Sequence, residues 1–192
     1  MDARYLGGLV SRITKDAKVV IASNREPVTH ERDVGGIRVV RPASGMVAAL
    51  EPIVRATGGI WVAYGSGTAD RLVTDEKGRV AIPPDHPRYT LKRLWLSRKE
   101  EHGYYYGLSN RALWPLCHIV YTRPQFSRTD WEIYRDVNRR FCDAVLEEVS
   151  GCRAIVFIQD YHLALLPRML RQERPDLEGP PDESQRLPER HA

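Results

Sequence analysis

The sequence predicts an α/β domain with a parallel sheet, and its three apolar runs are the main reason. These runs cover residues 18–22, 60–64 and 154–158, and polar or turn residues follow each of them. The stretches between them include segments in which apolar residues recur every three or four positions, as on one face of a helix. Buried strands that alternate with helices are typical of a parallel sheet.

The first predicted strand is 18–22. Pro27 lies shortly after it and rules out further pairing on a central strand, so we expect an exposed loop. A small extra strand is expected at 37–40, after the Gly35-Gly36 turn.

The first predicted helix begins at Ser44, which is a good N-cap. Pro52 falls inside its apolar pattern and implies a kink. Gly58 and Gly59 end the helix, and 60–64 is the next buried strand.

The middle of the chain is less regular. Short strands are expected at 80–82 and 89–96, and an aromatic helix at 100–108. Another short helix is expected to start at Trp114, with Pro115 in its first turn.

The longest predicted helix covers 129–149. Thr129 is its expected N-cap, and Glu132 would complete a capping box. The strand at 154–158 and a helix at 162–173 follow.

Three segments are expected. Residues 1–17 form an N-terminal extension, and 18–177 form the α/β domain. In 178–192 the Gly, Pro and charged residues cannot build a core, so this tail should be disordered.

The composition is that of a soluble globular protein. Apolar residues make up 42% of the 192 residues, and the formal charge is +4. The basic residues form no run, so nucleic acid is not an expected partner, although they suit an anionic ligand. Three cysteines without a CxxC pair favour reduced thiols and a cytoplasmic location. No signal peptide or membrane-spanning run is recognised.

Asp160 and His162 follow the strand at 154–158, and we expect them at the ligand-binding edge of the sheet. The Asp160 carboxylate suits hydrogen bonds from sugar hydroxyls, or it caps the next helix. His162 is either a ligand contact or a structural histidine. It is not predicted to bind a metal, because no second His or Cys stands at ligand spacing.

Arg25 and Ser44-Gly45 are candidate anion-binding groups. Arg25 lies just past the first strand, where its guanidinium suits a phosphate or a surface ion pair. Ser44-Gly45 opens a helix, whose exposed amides suit a diphosphate, unless Ser44 is only an N-cap.

Three consecutive tyrosines, 104–106, precede Asn110 and Trp114. Aromatic faces pack against the C–H faces of sugars, and aromatic residues equally fill cores. At least one of the three tyrosines must point away from the core.

Taken in order, these segments resemble the N-terminal part of the trehalose-6-phosphate synthases, a family of retaining GT-B glycosyltransferases that use nucleotide sugars. The resemblance covers about residues 18–177. The matching segments are 22–27, 44–50, 59–65, 104–110, 113–118 and 159–163, together with Trp131, Tyr134, Val137 and Asn138. Each segment is weak alone, and the ordered set is specific. It implies an incomplete Rossmann-like sheet with flanking helices.

The resemblance implies a role for each candidate residue. Arg25 and Tyr105 match residues that hold the phosphate of glucose 6-phosphate, and Trp114 matches one that packs near this acceptor sugar. Asp160, the expected catalytic residue, matches an aspartate bonded to acceptor hydroxyls, and His162 is expected beside it. Ser44 and Gly45 match a turn near the diphosphate of the donor, a nucleotide-glucose such as UDP-glucose. No metal or other cofactor is implied.

The chain also departs from the family. Gln159 replaces a histidine, and Ser44 replaces a glycine. The strand that the family has next and the C-terminal donor domain are not recognised in the sequence. Because retaining transfer needs donor and acceptor held together in a closed cleft, we expect the 192-residue chain alone to be inactive.

Two alternatives remain open. The first is an enzyme like glucosylglycerol-phosphate synthase, which uses another phosphorylated acceptor. The second is a non-catalytic fragment that binds a sugar phosphate or docks on a full-length homologue.

Overall fold

The computed structural model describes residues 8, 12 and 17–177, which contain seven strands. In chain order the strands are β1 (Lys18–Ser23), β2 (Thr29–Asp33), β3 (Gly36–Val40), β4 (Ile60–Tyr64), β5 (Arg79–Ile82), β6 (Tyr89–Leu94) and β7 (Ala154–Ile158). The α-helices are α1 (Gly45–Thr57), α2 (Arg98–Glu101), α3 (Trp114–Cys117), α4 (Arg128–Glu148) and α5 (Leu166–Glu173). A π-helix covers His102–Leu113, and short 3-10 helices cover Asp70–Leu72 and Tyr161–Leu163.

Five strands form the main sheet in the order β5-β6-β4-β1-β7. Strands β6, β4, β1 and β7 are parallel, as predicted, and β5 pairs antiparallel with β6 at the edge. From β1 the chain moves through β4 to β6 on one side and then returns to β7 on the other. The order therefore reverses between β1 and β7, and such a reversal opens a crevice at the carboxyl ends of the strands.

Helices cover both faces of the sheet. On one face α1 packs through Val47 and Val54 in a cluster that includes Ile21 of β1. On the other face Val20 and Ala22 lie in a cluster with apolar residues of α4, α5 and the π-helix. Successive β1 residues thus pack into the cores on opposite faces of the sheet, which explains why all of this strand beyond Lys18 is buried.

The polar loop expected after β1 contains a strand that the sequence analysis missed. Residues 29–33 pair antiparallel with the predicted extra strand, β3, to form a separate hairpin. The hairpin is held at its base by the buried His30, whose backbone N–H donates to Asp70 Oδ1 at 2.8 Å. The two residues are 40 positions apart, so no local sequence pattern predicts this contact.

Helix starts were predicted with mixed success. Ser44 is the N-cap of α1, as expected, and accepts a hydrogen bond from Val47 N at 3.4 Å. The predicted N-cap Thr129 is wrong: Ser127 caps α4 and accepts from Asp130 N at 3.3 Å. A serine hydroxyl two residues earlier satisfies the first free amides, so Thr129 lies inside the helix.

The helix expected at 162–173 is divided. A 3-10 helix covers Tyr161–Leu163, and α5 begins only at Leu166, with Pro167 in its first turn. Because proline has no backbone N–H, it fits the first turn and not the middle of a helix.

Two predicted segments lie almost entirely outside the described residues. They are the extension at 1–17, of which only residues 8, 12 and 17 are described, and the tail at 178–192. Within the described part of the chain, no helix has both the length and the apolar character needed to cross a membrane.

Candidate functional site

A cavity of about 550 Å³ lies where the loops after β1 and β7 meet the starts of α1 and α3. Its wall contains most of the predicted site residues, which come from four separate parts of the chain. The lining residues are Ser23, Asn24, Arg25, Ser44, Met46, Tyr105, Asn110, Trp114, Gln159, Asp160, Tyr161 and His162. Of the predicted set, Gly45 alone is not in the wall.

Arg25 supplies a cation to this cavity. It lies two residues past β1, and its side chain is exposed. No carboxylate of a described residue forms an ion pair with it, so the surface ion pair considered from the sequence is not formed there. An unpaired guanidinium at a cavity wall is well suited to a phosphate or carboxylate.

Asp160 has the capping role that was one of the two left open by the sequence, and it also lies in the cavity wall. Its Oδ1 accepts from Tyr161 N at 2.8 Å, so it caps the 3-10 helix. Its Oδ2 lies 3.3 Å from His162 Nδ1, and half of the side chain is exposed toward the cavity side. The residue adopts φ +73°, a conformation that costs free energy for any residue except glycine.

His162 is buried between aromatic rings in the wall. Its imidazole stacks on Tyr161 (4.4 Å between centroids) and Tyr105 (5.4 Å). Burial and the nearby Arg25 charge lower its pKa, and Asp160 opposes them. The ring is therefore neutral near pH 7, and its Nε2 has no hydrogen-bond partner among the described residues.

The three tyrosines are divided between core and cavity. Tyr104 is fully buried in the core, where desolvation raises the pKa of its phenol well above the usual value. Tyr105 lines the cavity, and Tyr106 points outward. Trp114 also lines the cavity, is 40% exposed, and stacks on His118 at 5.2 Å.

The Ser44-Gly45 pair contributes only in part. Ser44 lines the cavity while its hydroxyl caps α1. Gly45 has open space around it, since an added Cβ would meet no atom within 4 Å. This open space leaves the backbone of Gly45 accessible at the start of α1.

Six wall residues were not among the predicted site residues: Ser23, Asn24, Met46, Asn110, Gln159 and Tyr161. All except Asn110 lie within two positions of a predicted site residue, which was the available signal. Their side-chain types alone gave no reason to select them.

The wall combines four kinds of group: a free cation, aromatic faces, a partly exposed carboxylate and a neutral imidazole. Such a set suits a small ligand that carries an anionic group, a C–H face and several hydroxyls. In the described residues no group of three His, Cys, Asp or Glu side chains is arranged to hold a metal ion.

Comparison with known proteins gives consistent matches. The model of glycosyltransferase family 20 matches residues 17–178. The trehalose-6-phosphate synthases of Mycobacterium ulcerans and Mycolicibacterium vanbaalenii are 41% and 38% identical over 164 and 162 residues. Those regions cover 84% of this chain and 31% and 32% of the two relatives.

A solved structure extends the comparison to the fold. The α,α-trehalose-phosphate synthase (UDP-forming) of Burkholderia xenovorans, in complex with glucose-6-phosphate, matches with a TM-score of 0.63 and 22% identity. The match covers 85% of this chain and 32% of that one. The described sheet and helices thus correspond to part of a GT-B fold, and the chain spans about a third of the length of the relatives that it matches.

Proposed function

Because the chain belongs to glycosyltransferase family 20, we propose that its cavity binds glucose 6-phosphate as the acceptor in trehalose 6-phosphate synthesis. One observation carries the proposal. The unpaired Arg25 lies in the same wall as Tyr105, Trp114 and Asp160, although these residues are up to 135 positions apart in the sequence. The glucose-6-phosphate complex of the Burkholderia xenovorans protein supports the choice of ligand.

Each side chain has a proposed role that follows from its chemistry. Arg25 donates to the phosphate as a bidentate charged group, and the Tyr105 hydroxyl assists it. Trp114 packs against the C–H face of the sugar. Asp160 accepts hydrogen bonds from sugar hydroxyls and is the proposed catalytic residue, because it orients the attacking oxygen.

His162 completes the acceptor site as a neutral group. Its stacking between Tyr105 and Tyr161 holds the ring in place as part of the cavity wall.

The proposed donor is UDP-glucose, with its diphosphate near the start of α1. Ser44 lies in the cavity wall and at the positive end of the helix dipole, which favours an anionic group. The UDP-forming activity in the name of the Burkholderia protein supports this donor. Gly45 is proposed as a donor residue through its backbone only.

We propose that the 192-residue polypeptide, assayed alone, binds the acceptor and does not transfer glucose. Positioning and charge stabilisation around the departing diphosphate supply most of the rate in such reactions. The described cavity offers only the start of α1 to the diphosphate. UDP release from UDP-glucose and glucose 6-phosphate should not exceed that of a heat-treated sample, and adding a longer homologue tests whether association restores it.

Calorimetric titration tests the acceptor proposal. The polypeptide should bind glucose 6-phosphate more tightly than glucose, and Arg25→Gln should remove at least about tenfold of that preference, because a charge-assisted contact is lost. Equal binding of glucose 6-phosphate and glucose would refute the proposal. Tighter binding of glycerol 3-phosphate would favour the glucosylglycerol-phosphate alternative. Gln159, which replaces a histidine of the family, lies in the cavity wall and is the reason to test this acceptor.

A further inference from the structure

The backbone around Arg25 is fixed while its guanidinium is unpaired. The Ser23 hydroxyl donates to the Arg25 carbonyl oxygen at 2.6 Å and accepts from Trp61 Nε1 at 2.8 Å. Ser23 is 1% exposed, and Trp61 is fully buried in β4. The loop is thus tied on one side to the rigid centre of the sheet.

The next residue, Glu26, fixes the other side. Its carboxylate accepts from Arg93 Nε at 2.6 Å and from Ser66 N at 2.8 Å. Arg93 lies in β6 and is itself buried. Arg25 therefore lies between two residues that are anchored to strands β4 and β6 and to the turn after β4.

Neither Ser23 nor Glu26 has a hydrogen-bond donor left for an anionic ligand, because of the contacts that each side chain already makes. The single proton of Ser23 is donated to the Arg25 carbonyl, although the residue borders the cavity. Glu26 is 2% exposed and would repel a phosphate. A loss of affinity on removal of either side chain must therefore pass through Arg25, because removal of the Glu26 charge would by itself favour an anionic ligand.

We propose that Ser23 and Glu26 are positioning residues that hold the Arg25 backbone and so set the affinity of the cavity for a phosphate group. This inference rests on the proposed function of Arg25. A long arginine side chain loses conformational freedom on binding, and a fixed backbone reduces the number of arrangements that must be given up. Contacts that hold a binding group in place raise affinity without touching the ligand.

A double-mutant cycle tests the proposal. Titrations of glucose 6-phosphate at pH 8 compare Ser23→Ala, Glu26→Gln and Arg25→Gln with the pairs Ser23→Ala/Arg25→Gln and Glu26→Gln/Arg25→Gln. In the wild-type background Ser23→Ala and Glu26→Gln should each weaken binding by about threefold to tenfold, the range expected for one hydrogen bond or ion pair. In the Arg25→Gln background the same changes should have less than about a twofold effect, because the group on which they act is gone.

Two controls separate positioning from general destabilisation. Ser109→Ala removes another buried hydroxyl, one that has no hydrogen-bond partner among the described residues, and should leave the affinity unchanged. Ser23→Thr keeps the hydroxyl and should retain most of the affinity. Circular dichroism establishes whether each variant is folded. If Ser23→Ala does not fold, the cycle with Glu26→Gln and Arg25→Gln tests the proposal by itself.

The possible outcomes are distinct. If wild type binds glucose 6-phosphate no better than glucose, or Arg25→Gln binds as well as wild type, the proposed function fails and the inference fails with it. If Arg25→Gln loses affinity while the effects of Ser23→Ala and Glu26→Gln are absent, or equally large in both backgrounds, the inference alone is wrong.

Discussion

Oε2 of Glu26 lies 2.6 Å from Nε of Arg93, and neither side chain is more than 2% exposed. The pair joins the loop after β1 to β6 across 67 positions. Nη2 of the same guanidinium lies 2.9 Å from Asp70 Oδ1 and donates to the Val28 carbonyl at 3.0 Å. Burial raises the pKa of Glu26 to about 7, and the opposing effect of Arg93 is smaller.

This raised pKa predicts a specific pH dependence of stability. The folded state holds the Glu26 proton up to a pH of about 7, whereas the unfolded chain releases it near 4.5. The stabilising contribution is therefore complete below pH 4.5 and is lost as the pH rises toward and through 7. Between pH 5 and 8 wild type should lose about 2 kcal/mol of unfolding free energy relative to Glu26→Gln, measured with urea.

The comparison with Glu26→Gln isolates this group. Burial lowers the pKa of His30, which makes stability fall with decreasing pH below 6.5 and so acts in the opposite direction. His30 is present in both proteins and its effect cancels to first order. A constant difference between the two proteins over this pH range would contradict the assignment.

The backbone conformation of Asp160 should lower the stability of the protein, while its carboxylate contributes to ligand binding. Its φ of +73° disfavours every residue except glycine. Asp160→Gly should therefore be more stable than Asp160→Ala by about 1–2 kcal/mol, since both lose the carboxylate and only glycine relieves the strain. Urea unfolding measures the difference, and titration with glucose 6-phosphate should show that both variants bind more weakly than wild type. Equal stability of the two variants would show that the backbone is not strained.

The titration of His162 should respond in opposite directions to its two charged neighbours. Arg25 lowers its pKa, and Asp160 raises it. NMR titration of the imidazole should therefore give a higher pKa in Arg25→Gln and a lower one in Asp160→Asn than in wild type. His30 is a suitable control, because its charged neighbours are Asp70 and Arg93 and its titration should be unchanged. A shift of the same sign in both variants would be inconsistent with the structure.

Gly59 should be far less tolerant of a side chain than Gly45. A Cβ at Gly59 would clash with the carbonyl oxygen of Val19, a backbone atom that cannot move aside without disturbing β1. Gly59→Ala should cost about 2 kcal/mol or more in unfolding free energy. Gly45→Ala, which meets nothing within 4 Å, should change it by less than about 0.5 kcal/mol. Urea midpoints of the two variants provide the test, and similar values would show that the sheet adjusts at Gly59.

The hairpin and the helix starts show where local sequence pattern did not suffice to predict the structure. All five side chains of residues 29–33 are polar or charged, so no alternation of apolar residues identifies a strand. The strand exists because Asp70 holds His30 and because residues 36–40 pair with it. At α4, Ser127 and Thr129 are both acceptable caps by residue type, and only the backbone path selects Ser127.

The sequence by itself determined the parallel strands β1, β4 and β7, the cap at Ser44 and the position of Asp160 and His162 at the sheet edge, because these depend on side-chain period and on residues close in the chain. That Tyr105 and Trp114 would join them was implied by the family resemblance. Residue type left open which of Tyr104, Tyr105 and Tyr106 faces the cavity; the family resemblance selected Tyr105, and Tyr105 lines the cavity. The tertiary structure alone decided that Arg93 lies against Glu26. Such contacts depend on how distant elements pack, and burial then sets the charge of Glu26 and His162. The local sequence around each residue does not contain the burial and the long-range contacts that set these charges.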